Sequence, residues 1–392
     1  MRNFPFDSQK ATHICAGILA GVLLMGALLV TSFGGFSNIR AAMKYAAVLR
    51  AVENHYVGEY DLDDLTDAAL SAAVDSLDDN WSYYMNADSY AAYQDYAANR
   101  YQGIGVTIQK DEVTGGFIIA SLVKDGPAQL AGMLEGDIIL AVDGEDVTAG
   151  DAAYVRELIQ ADFGKNATVT ALRDGERLNF TVSCEAVYSA PVEFELLGST
   201  GYVRIENFRE GAAASAIEAV ESLREQGAES LVFDVRSNPG GQVSELVDLL
   251  DYLLPEGDVF IRADKRGNEV TERSDEACVR LPIAVVINGD SYSAAEFFAA
   301  ALPEYAWATV VGESSTGKAR SQVTLPLRDG SAVHLSKYTY LTPQRNDLYE
   351  AGGVTPDVPA LLTDEQRAEF DTGWLAPADD PQIQTAIAVV NA

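Results

Sequence analysis

The chain has 392 residues, of which 48% are hydrophobic and 9% aromatic; this length and composition predict two or three folded domains and exclude wholesale disorder. Its 59 acidic residues outnumber 27 basic ones, and the net charge of -32 disfavours binding to nucleic acid or to anionic lipid headgroups. The scattered cysteines and histidines form no group with metal-ligand spacing, so we predict no metal site, no cofactor and no disulfide framework.

An apolar segment near the amino terminus is the first predicted element. No Asp, Glu, Lys or Arg occurs between Ala11 and Ile39, and the run from Ile14 to Val30 is long and apolar enough to span a bilayer. We therefore expect residues 1–39 to form a short cytoplasmic tail and a single-pass signal anchor in the cell membrane, with the following domains on the extracytoplasmic side. A cleaved secretory signal, and hence a secreted protein, is the alternative.

Two regions of different pattern follow this segment. Residues 40–98 are rich in alanine, with apolar positions at helical spacing, and are predicted to be helical. From about residue 100, short apolar runs alternate with turn signals, and the Asp174-Gly175 dipeptide between two alternating runs predicts a β-hairpin. Residues 99–187 are therefore expected to form a small, mostly β domain.

Beyond residue 200, predicted strands and helices alternate. Runs rich in valine, isoleucine and leucine lie at 201–205, 230–235, 283–287 and 309–311. Helical patterns separate them at 212–226, 242–254 and 293–302. This alternation predicts buried parallel strands in βαβ units. The chain is thus expected to be an α/β multi-domain protein, with a core at 188–362 and a helical tail at 363–392.

A serine-containing turn follows the predicted strand at 283–287. The segment Asn288-Gly-Asp-Ser-Tyr-Ser293 has the composition of a strand end, a tight turn and a helix start. A serine hydroxyl there would lie at the carboxyl edge of the sheet, where α/β proteins bind their ligands. Ser291 and Ser293 are the two candidates for a nucleophile, and capping of the helix is the structural alternative.

Lys318 follows the next predicted strand, in a loop that returns to the same edge. A lysine whose pKa is lowered by burial can act as a general base, and Gln322 would share its face in an extended segment. A solvated loop lysine is the alternative. The spacing from Gly312 to Lys318 also fits a phosphate-binding loop, but Ala319 occupies the position where that motif needs serine or threonine.

The segment Val235-Arg-Ser-Asn-Pro-Gly-Gly241 ends another predicted strand and opens a helix. Its glycines permit close approach of the backbone, so the loop can present N–H groups to an oxyanion. An ordinary turn with a helix cap is the alternative for this segment taken alone.

Taken together and in order, these motifs resemble those of the C-terminal processing peptidases, also called tail-specific proteases. The resemblance extends over nearly the whole chain beyond the apolar segment. Its six parts are Leu77-Asp-Asp-Asn-Trp-Ser-Tyr-Tyr84, Gly103-Ile-Gly-Val106, Gly126-Pro-Ala-Gln-Leu-Ala-Gly132 with Gly136-Asp137 and Val142-Asp-Gly144, Phe233-Asp-Val-Arg-Ser-Asn-Pro-Gly-Gly241, the set Ser293, Lys318 and Gln322, and Gly352-Gly-Val-Thr-Pro-Asp357.

The resemblance implies a serine endopeptidase with a ClpP/crotonase-like core and a Ser/Lys dyad. In this assignment Ser293 is the nucleophile, Lys318 is the base and Gln322 positions Lys318. Two backbone N–H groups would bind the oxyanion, one from Ala294 and one from either Gly240 or Gly241.

The resemblance also implies that residues 99–187 form a PDZ domain that binds the C-terminal tails of protein or peptide substrates. The free carboxylate of the tail would be bound by the loop of Gly103, Ile104, Gly105 and Val106. The helical regions 40–98 and 363–392 are candidate surfaces for a homodimer, as in some relatives.

Two segments depart from the usual family pattern. Asp290 and Tyr292 replace small residues in the turn before Glu296, and Ala319 replaces the usual glycine after the lysine. An inactive PDZ scaffold that binds tails without cutting them is therefore kept as an alternative. A protease with a Ser-His-Asp triad is disfavoured, because none of the three histidines lies where such a triad needs it.

Overall fold

The computed structural model describes residues 18–20, 22, 24–26, 30–32, 34–111, 113–161, 163–373 and 375–392. Its internal contacts divide the chain into two units, residues 1–68 and 69–392. In the first unit, a helix spans Phe36–His55 and a second helix, Leu62–Asp75, begins. The Tyr45 hydroxyl donates to Thr66 Oγ1 at 3.0 Å. Helices are thus confirmed in the early part of the region predicted to be helical.

The predicted membrane anchor lies in large part outside the described residues. Among those that are described, no single helix is both long and apolar enough to cross a bilayer. The helices Ile18–Ser32 and Phe36–His55 reach that length and apolarity only as a pair, and the pair is bent by 82°. The anchor therefore stays a prediction.

The second unit begins with a segment that is not entirely helical. The helix Ala87–Ala97 was expected, but the strand Tyr83–Met85 precedes it and pairs antiparallel with a later strand, placing Tyr83 opposite His334. The two rings stack with their centroids 4.8 Å apart. Consecutive aromatic residues favour a strand wherever a partner strand is available, so tertiary pairing overrides the helical pattern here.

The predicted PDZ domain is built on a twisted antiparallel sheet with a small helix at each end. The sheet order is Val106–Lys110, Phe117–Leu122, Ile138–Val142, Asn166–Arg173 and Glu176–Ser183, with Glu145–Asp146 paired to the third strand. The helices are Pro127–Leu130 and Ala152–Ala161, and Arg100–Gly103 pairs with Glu185–Tyr188. The predicted Asp174-Gly175 hairpin is confirmed, and both turn residues have the positive φ of a type I′ turn.

The core of the second unit is a largely parallel sheet with helices on both faces. Its strand order is Val192–Leu197, Thr200–Ile205, Ser230–Asp234, Ile283–Ile287, Ala308–Gly312 and Val358–Pro359, and only the first pair is antiparallel. The helices Ala212–Glu225, Val243–Leu253 and Ala294–Glu304 share one hydrophobic core with the sheet. The predicted βαβ pattern is confirmed.

Side chains alternate between the two faces of this sheet. Phe233 and Val285 belong to the core beneath the three helices, whereas their neighbours Val232 and Val286 face a second, smaller core. Ile383, on the helix Pro381–Val390, closes that second core. The last helix of the predicted tail is therefore part of the packed core. The other helices after residue 345 are Leu348–Ala351 and Asp364–Asp371.

A second sheet, antiparallel and only partly predicted, lies beside the core. It contains Tyr83–Met85, Ala332–Leu341, Gly257–Asp264 and Glu269–Ser274, and Arg320–Pro326 pairs with the second of these. Most of its residues are exposed or half-buried and many are charged, so the strands lack the continuous apolar runs that marked the parallel sheet.

Candidate active site

The turn before the helix Ala294–Glu304 presents Ser293. Ser293 has φ 61° and ψ −120°, a backbone conformation that favours glycine, and it is the N-cap of the helix. A non-glycine residue persists at positive φ only where its surroundings hold it. Here the Ser293 N–H donates to Glu296 Oε2 at 2.9 Å. The turn thus directs the serine toward a cavity of about 580 Å³ that Lys318 also lines.

Ser291, the other candidate serine, has a different environment. It is fully buried; its hydroxyl accepts from the Asn288 N–H at 3.0 Å and donates to the Val235 carbonyl at 2.8 Å. The first contact closes the turn, and the second ties it to the end of the neighbouring strand. Ser291 is therefore a structural residue, and of the two candidate serines it is Ser293 that lines the cavity.

The Lys318 side chain lies among aromatic rings. Its Nζ is 4.0 Å from the centroid of Trp81 and 5.7 Å from that of Tyr292. Burial lowers the pKa of Lys318 to about 8, although the negative charges of Glu296 and Asp79 act in the opposite direction. The contact of Trp81 with the lysine was not anticipated, although Trp81 belongs to one of the six family-like motifs.

Glu296 links the backbones of the two candidate catalytic residues. It is fully buried, and its carboxylate accepts from the N–H groups of Ser293, Gly317 and Lys318 and from the Ser315 hydroxyl. A buried carboxylate with four donors in the first turn of a helix is well stabilised. Sequence analysis did not identify this role, although the Ser-x-x-Glu spacing of a capping box is a signal from which a capping role for Glu296 could have been predicted. Because Gly317 and Lys318 donate to Glu296, their N–H groups are not available to a phosphate.

The two candidate catalytic residues line the same cavity. Among the residues that the structure describes, no hydrogen bond joins Ser293 Oγ to Lys318 Nζ. The Tyr340 hydroxyl donates to the Lys318 carbonyl. Burial raises the pKa of Tyr340, so this phenol stays protonated and a donor.

Gln322 lines the same cavity but has other partners. Its Nε2 donates to the Arg320 carbonyl at 2.9 Å and to Ser336 Oγ at 3.2 Å, and not to Lys318. The expectation of a shared face assumed an unbroken extended segment. A β-bulge between Ser321 and Gln322 interrupts that alternation. The positioning role of Gln322 stays a prediction.

The Asn-Pro-Gly-Gly loop, residues 238–241, lies directly against the Ser293 turn. A Cβ placed on Gly240 would come within 2.8 Å of both Ala294 N and Ser293 Cβ, so no side chain fits there. The Gly240 N–H already donates to Asn238 Oδ1 at 2.7 Å. By contrast, no acceptor in the described parts of the chain meets the Gly241 N–H. Ala294 begins its helix, so its N–H has no intrahelical acceptor either.

His334 also lines the cavity, which its position in the sequence did not indicate. Its Nδ1 is 2.8 Å from Thr324 Oγ1. Burial, and then the charge of Lys318, lower the pKa of His334 to about 4. Its imidazole is therefore neutral and weakly basic at physiological pH.

A second cavity, of about 1010 Å³, lies between the edge strand Val106–Lys110 and the helix Ala152–Ala161. The predicted carboxylate-binding loop is at one end of it. Gly105 has φ 80°, and Ile104 is buried with its carbonyl accepting from Ala128 N at 2.8 Å. The open edge of the strand offers backbone groups to which an extended peptide can add. Gly103 and Val106 are the two ends of this loop, and each is paired with a neighbouring strand.

Two protein families match this chain. Residues 199–360 match Peptidase family S41 and residues 118–173 match the PDZ domain. The first range lies inside the predicted core and the second inside the predicted β domain.

Bacterial proteases are similar over most of the chain. The carboxy-terminal processing protease CtpB of Bacillus subtilis is 28% identical over 86% of this chain and 73% of its own length. The protease CtpA of the same organism is 29% identical over 81% of this chain and 69% of its own. A putative S41 protease structure from Bacteroides fragilis covers 86% of this chain and 92% of its own, with a TM-score of 0.59 at 16% identity, which supports the fold.

Proposed function

Because this chain belongs to the C-terminal processing peptidases of family S41 and is a serine-type endopeptidase with a PDZ domain, we propose that Ser293 is its nucleophile and Lys318 its general base. The observation that carries this assignment is the buried carboxylate of Glu296, which fixes the backbones of both residues. The lowered pKa of Lys318 supports it, since a base must be neutral to accept a proton.

The proposed reaction has two steps. Lys318 Nζ takes the proton from Ser293 Oγ as this oxygen attacks the scissile carbonyl, and then gives it to the departing amine, which leaves an acyl-enzyme on Ser293. In the second step Lys318 Nζ takes a proton from water as the water attacks the ester carbonyl. The bond to Ser293 Oγ then breaks, Nζ returns the proton to Oγ, and the carboxylic product leaves. Since Nζ and Oγ are not hydrogen-bonded in this structure, we expect the bound peptide to bring them together.

Binding of the oxyanion is assigned to two backbone N–H groups, those of Ala294 and Gly241. The Gly240 N–H is the weaker candidate because Asn238 already accepts from it. Two preorganised donors would stabilise the transition state by several kcal/mol, on the order of 3 kcal/mol each.

Substrate recognition is assigned to the PDZ groove. We propose that the tail of a protein substrate adds to the edge strand Val106–Lys110 and that its free carboxylate is bound by Gly103, Ile104, Gly105 and Val106. The alternative of an inactive scaffold gives the same tail binding without hydrolysis.

Hydrolysis of a short peptide with an apolar tail and a free C-terminus tests both the proposed catalytic residues and the proposed binding of the tail. The wild-type protein should cleave it, Ser293→Ala should not, and Ser321→Ala, which removes another serine of the same cavity, should remain active. Amidation of the peptide's C-terminus should lower kcat/KM. No cleavage by wild type would favour the scaffold, and equal cleavage of acid and amide would contradict the tail-binding role alone.

Two further proposals concern location and assembly. The apolar segment within residues 1–39 would anchor the protein in the cell membrane, with both domains outside the cytoplasm.

The protein would form a homodimer through its helical regions; the helix Phe36–His55 has no buried residue within its unit and exposes Phe36 and Met43. Extraction of membranes with carbonate, and the mass of the detergent-solubilised protein by light scattering, test the two proposals separately.

A further inference from the structure

The cavity that contains Ser293 has the opposite charge to the rest of the protein. The chain carries a net charge of -32, yet no aspartate or glutamate is among the described residues that line this cavity. The charged side chains in its lining are Arg209, Arg262 and Lys318. The charged side chains that line this cavity are therefore all basic, although the protein as a whole is strongly acidic.

Of these three side chains, Arg209 keeps its charge and forms no close ion pair, although the carboxyl of Glu206 is within range of that charge. Arg262 pairs with Glu272 at 3.0 Å, and Lys318 has a lowered pKa. Arg209 forms no ion pair with any carboxylate in the described parts of the chain. Its Nη1 donates only to neutral oxygens, the Tyr96 carbonyl at 3.3 Å and Asn99 Oδ1 at 3.4 Å.

The guanidinium of Arg209 is also incompletely hydrogen-bonded. Its Nε is buried and has no hydrogen-bond acceptor in the structure. This nitrogen is enclosed by the protein, so the donors that a ligand can reach are on the terminal nitrogens. Among the described residues, Nη2 has no hydrogen-bond acceptor, whereas Nη1 has the two named above. The guanidinium is held flat on the Tyr96 ring, with Cζ 3.5 Å from the ring centroid, so its orientation is fixed before a ligand arrives.

The position of Arg209 connects it to the chemistry. Phe208 forms a parallel bridge with Gly241, and a Cβ placed on Gly241 would lie 2.8 Å from the Arg209 backbone nitrogen. Arg209 therefore adjoins the loop assigned to the oxyanion. A peptide whose scissile carbonyl is bound at Gly241 would bring a nearby residue of its chain to the guanidinium.

We propose that Arg209 binds a carboxylate of the peptide substrate close to the scissile bond and so makes the enzyme selective for an acidic group at that position. The proposal rests on the assignment of this cavity as the active site. Arginine presents a planar pair of donors that matches a carboxylate, and such charge-assisted bonds are among the strongest. The carboxylate can come from an Asp or Glu side chain or from the C-terminus of the chain being cut.

Matched peptides separate these sources. The peptides form pairs that share an otherwise apolar sequence and differ at one position, where one peptide has Glu and the other has Gln. The position of this residue is moved along the sequence from pair to pair. Each peptide is made with a free C-terminus and with an amidated C-terminus. Wild-type kcat/KM should be at least about tenfold higher for Glu than for Gln at one position, as expected for one charge-assisted hydrogen bond. If the C-terminal carboxylate is the ligand instead, the tenfold preference will be for acid over amide.

The variants assign the preference to Arg209. In Arg209→Gln the ratio should fall to near one, and Arg209→Lys, which keeps the charge without the planar fork, should give an intermediate value. Arg262→Gln is the matched control, because that arginine lines the same cavity but is already paired, and it should leave the ratio unchanged. Thermal unfolding establishes that each variant is folded.

Binding separates failure of this proposal from failure of the proposed function. The dissociation constants of the same peptides are measured on Ser293→Ala protein, with and without Arg209→Gln, so the result does not require turnover. A carboxylate preference that disappears with Arg209→Gln supports the proposal even if wild type cleaves nothing. Equal affinity for all matched pairs, or a preference that survives Arg209→Gln, would overturn it.

Discussion

The backbone N–H groups of Ser293 and Lys318 donate to the same atom, Oε2 of Glu296, each at 2.9 Å. The two residues come from loops after different strands, so nothing in the local chain fixes their separation. One buried carboxylate therefore sets the relative position of the proposed nucleophile and base.

Glu296→Gln tests this link. The amide keeps the shape but offers a single acceptor oxygen, so its NH2 group faces N–H donors that have lost their acceptor. We expect kcat to fall by about 100-fold, since small displacements of catalytic groups have effects of that size, while KM changes little. The free energy of unfolding should fall by about 1 to 3 kcal/mol. Glu218→Gln, an exposed glutamate on another helix, is the control; an unchanged kcat in Glu296→Gln would contradict the role.

The pH dependence of kcat/KM reports the base. Lys318 acts only when neutral, so activity should be low in acid and rise with pH through about 8, the value to which burial lowers its pKa. Lys318→Arg should be inactive because arginine stays protonated. His334→Gln should keep the same inflection, since burial holds the pKa of this histidine near 4. An inflection near 4 that disappears in His334→Gln would identify the histidine as the base.

Ser291→Ala should affect stability and leave chemistry largely intact. Its buried hydroxyl accepts from the Asn288 N–H within the turn and donates to the Val235 carbonyl at the end of the neighbouring strand. Loss of the hydroxyl leaves the Asn288 N–H without this acceptor, whereas the Val235 carbonyl still accepts from the Asn238 N–H at 3.3 Å. We expect a loss of about 1 to 3 kcal/mol in the free energy of unfolding, measured with urea. If the folded variant is inactive while Ser293→Ala is active, the assignment of the two serines is reversed.

Asp380→Ala should destabilise the fold strongly. Arg236 is buried beside the oxyanion loop and pairs with Asp380 at 2.7 Å as well as with Asp234 at 2.6 Å. Asp234 still neutralises Arg236 in this variant, but a charge-assisted hydrogen bond and the helix cap that Asp380 gives to the Gln382 and Ile383 N–H groups are lost, so we expect a loss of about 2 to 4 kcal/mol. Asp379→Ala removes an exposed neighbouring carboxylate and should cost little. Similar urea midpoints for the two variants would contradict this account of the C-terminal segment.

The parallel sheet and the site loops were predictable because their signals are local. The strand Ile283–Ile287 was predicted to the residue, since buried parallel strands are continuous apolar runs bounded by turns. Ser293 and Lys318 follow two neighbouring parallel strands, so both were expected to lie at the same edge of the sheet. The separate motifs became specific only in combination, through the resemblance to a family.

The contacts made by side chains from distant parts of the chain were not predictable in this way. His334 reaches the cavity from a strand of the antiparallel sheet, and Trp81 from the turn just before the strand that pairs with it. The pairing of these strands depends on long-range register. The bulge at Gln322 changes which face its side chain occupies, and alternation alone does not reveal it. The lack of a close ion pair at Arg209 is likewise visible only when the whole cavity is assembled.

The measurement that tests the central assignment most directly is the site and rate of labelling by a fluorophosphonate, a reagent that forms an adduct with activated serines. We predict an adduct on Ser293, located by mass spectrometry of the digested protein, with a labelling rate that rises with pH through about 8 and is lost in folded Lys318→Ala. An adduct on another residue, or undiminished labelling of Ser293 in Lys318→Ala, would contradict the Ser293 and Lys318 dyad.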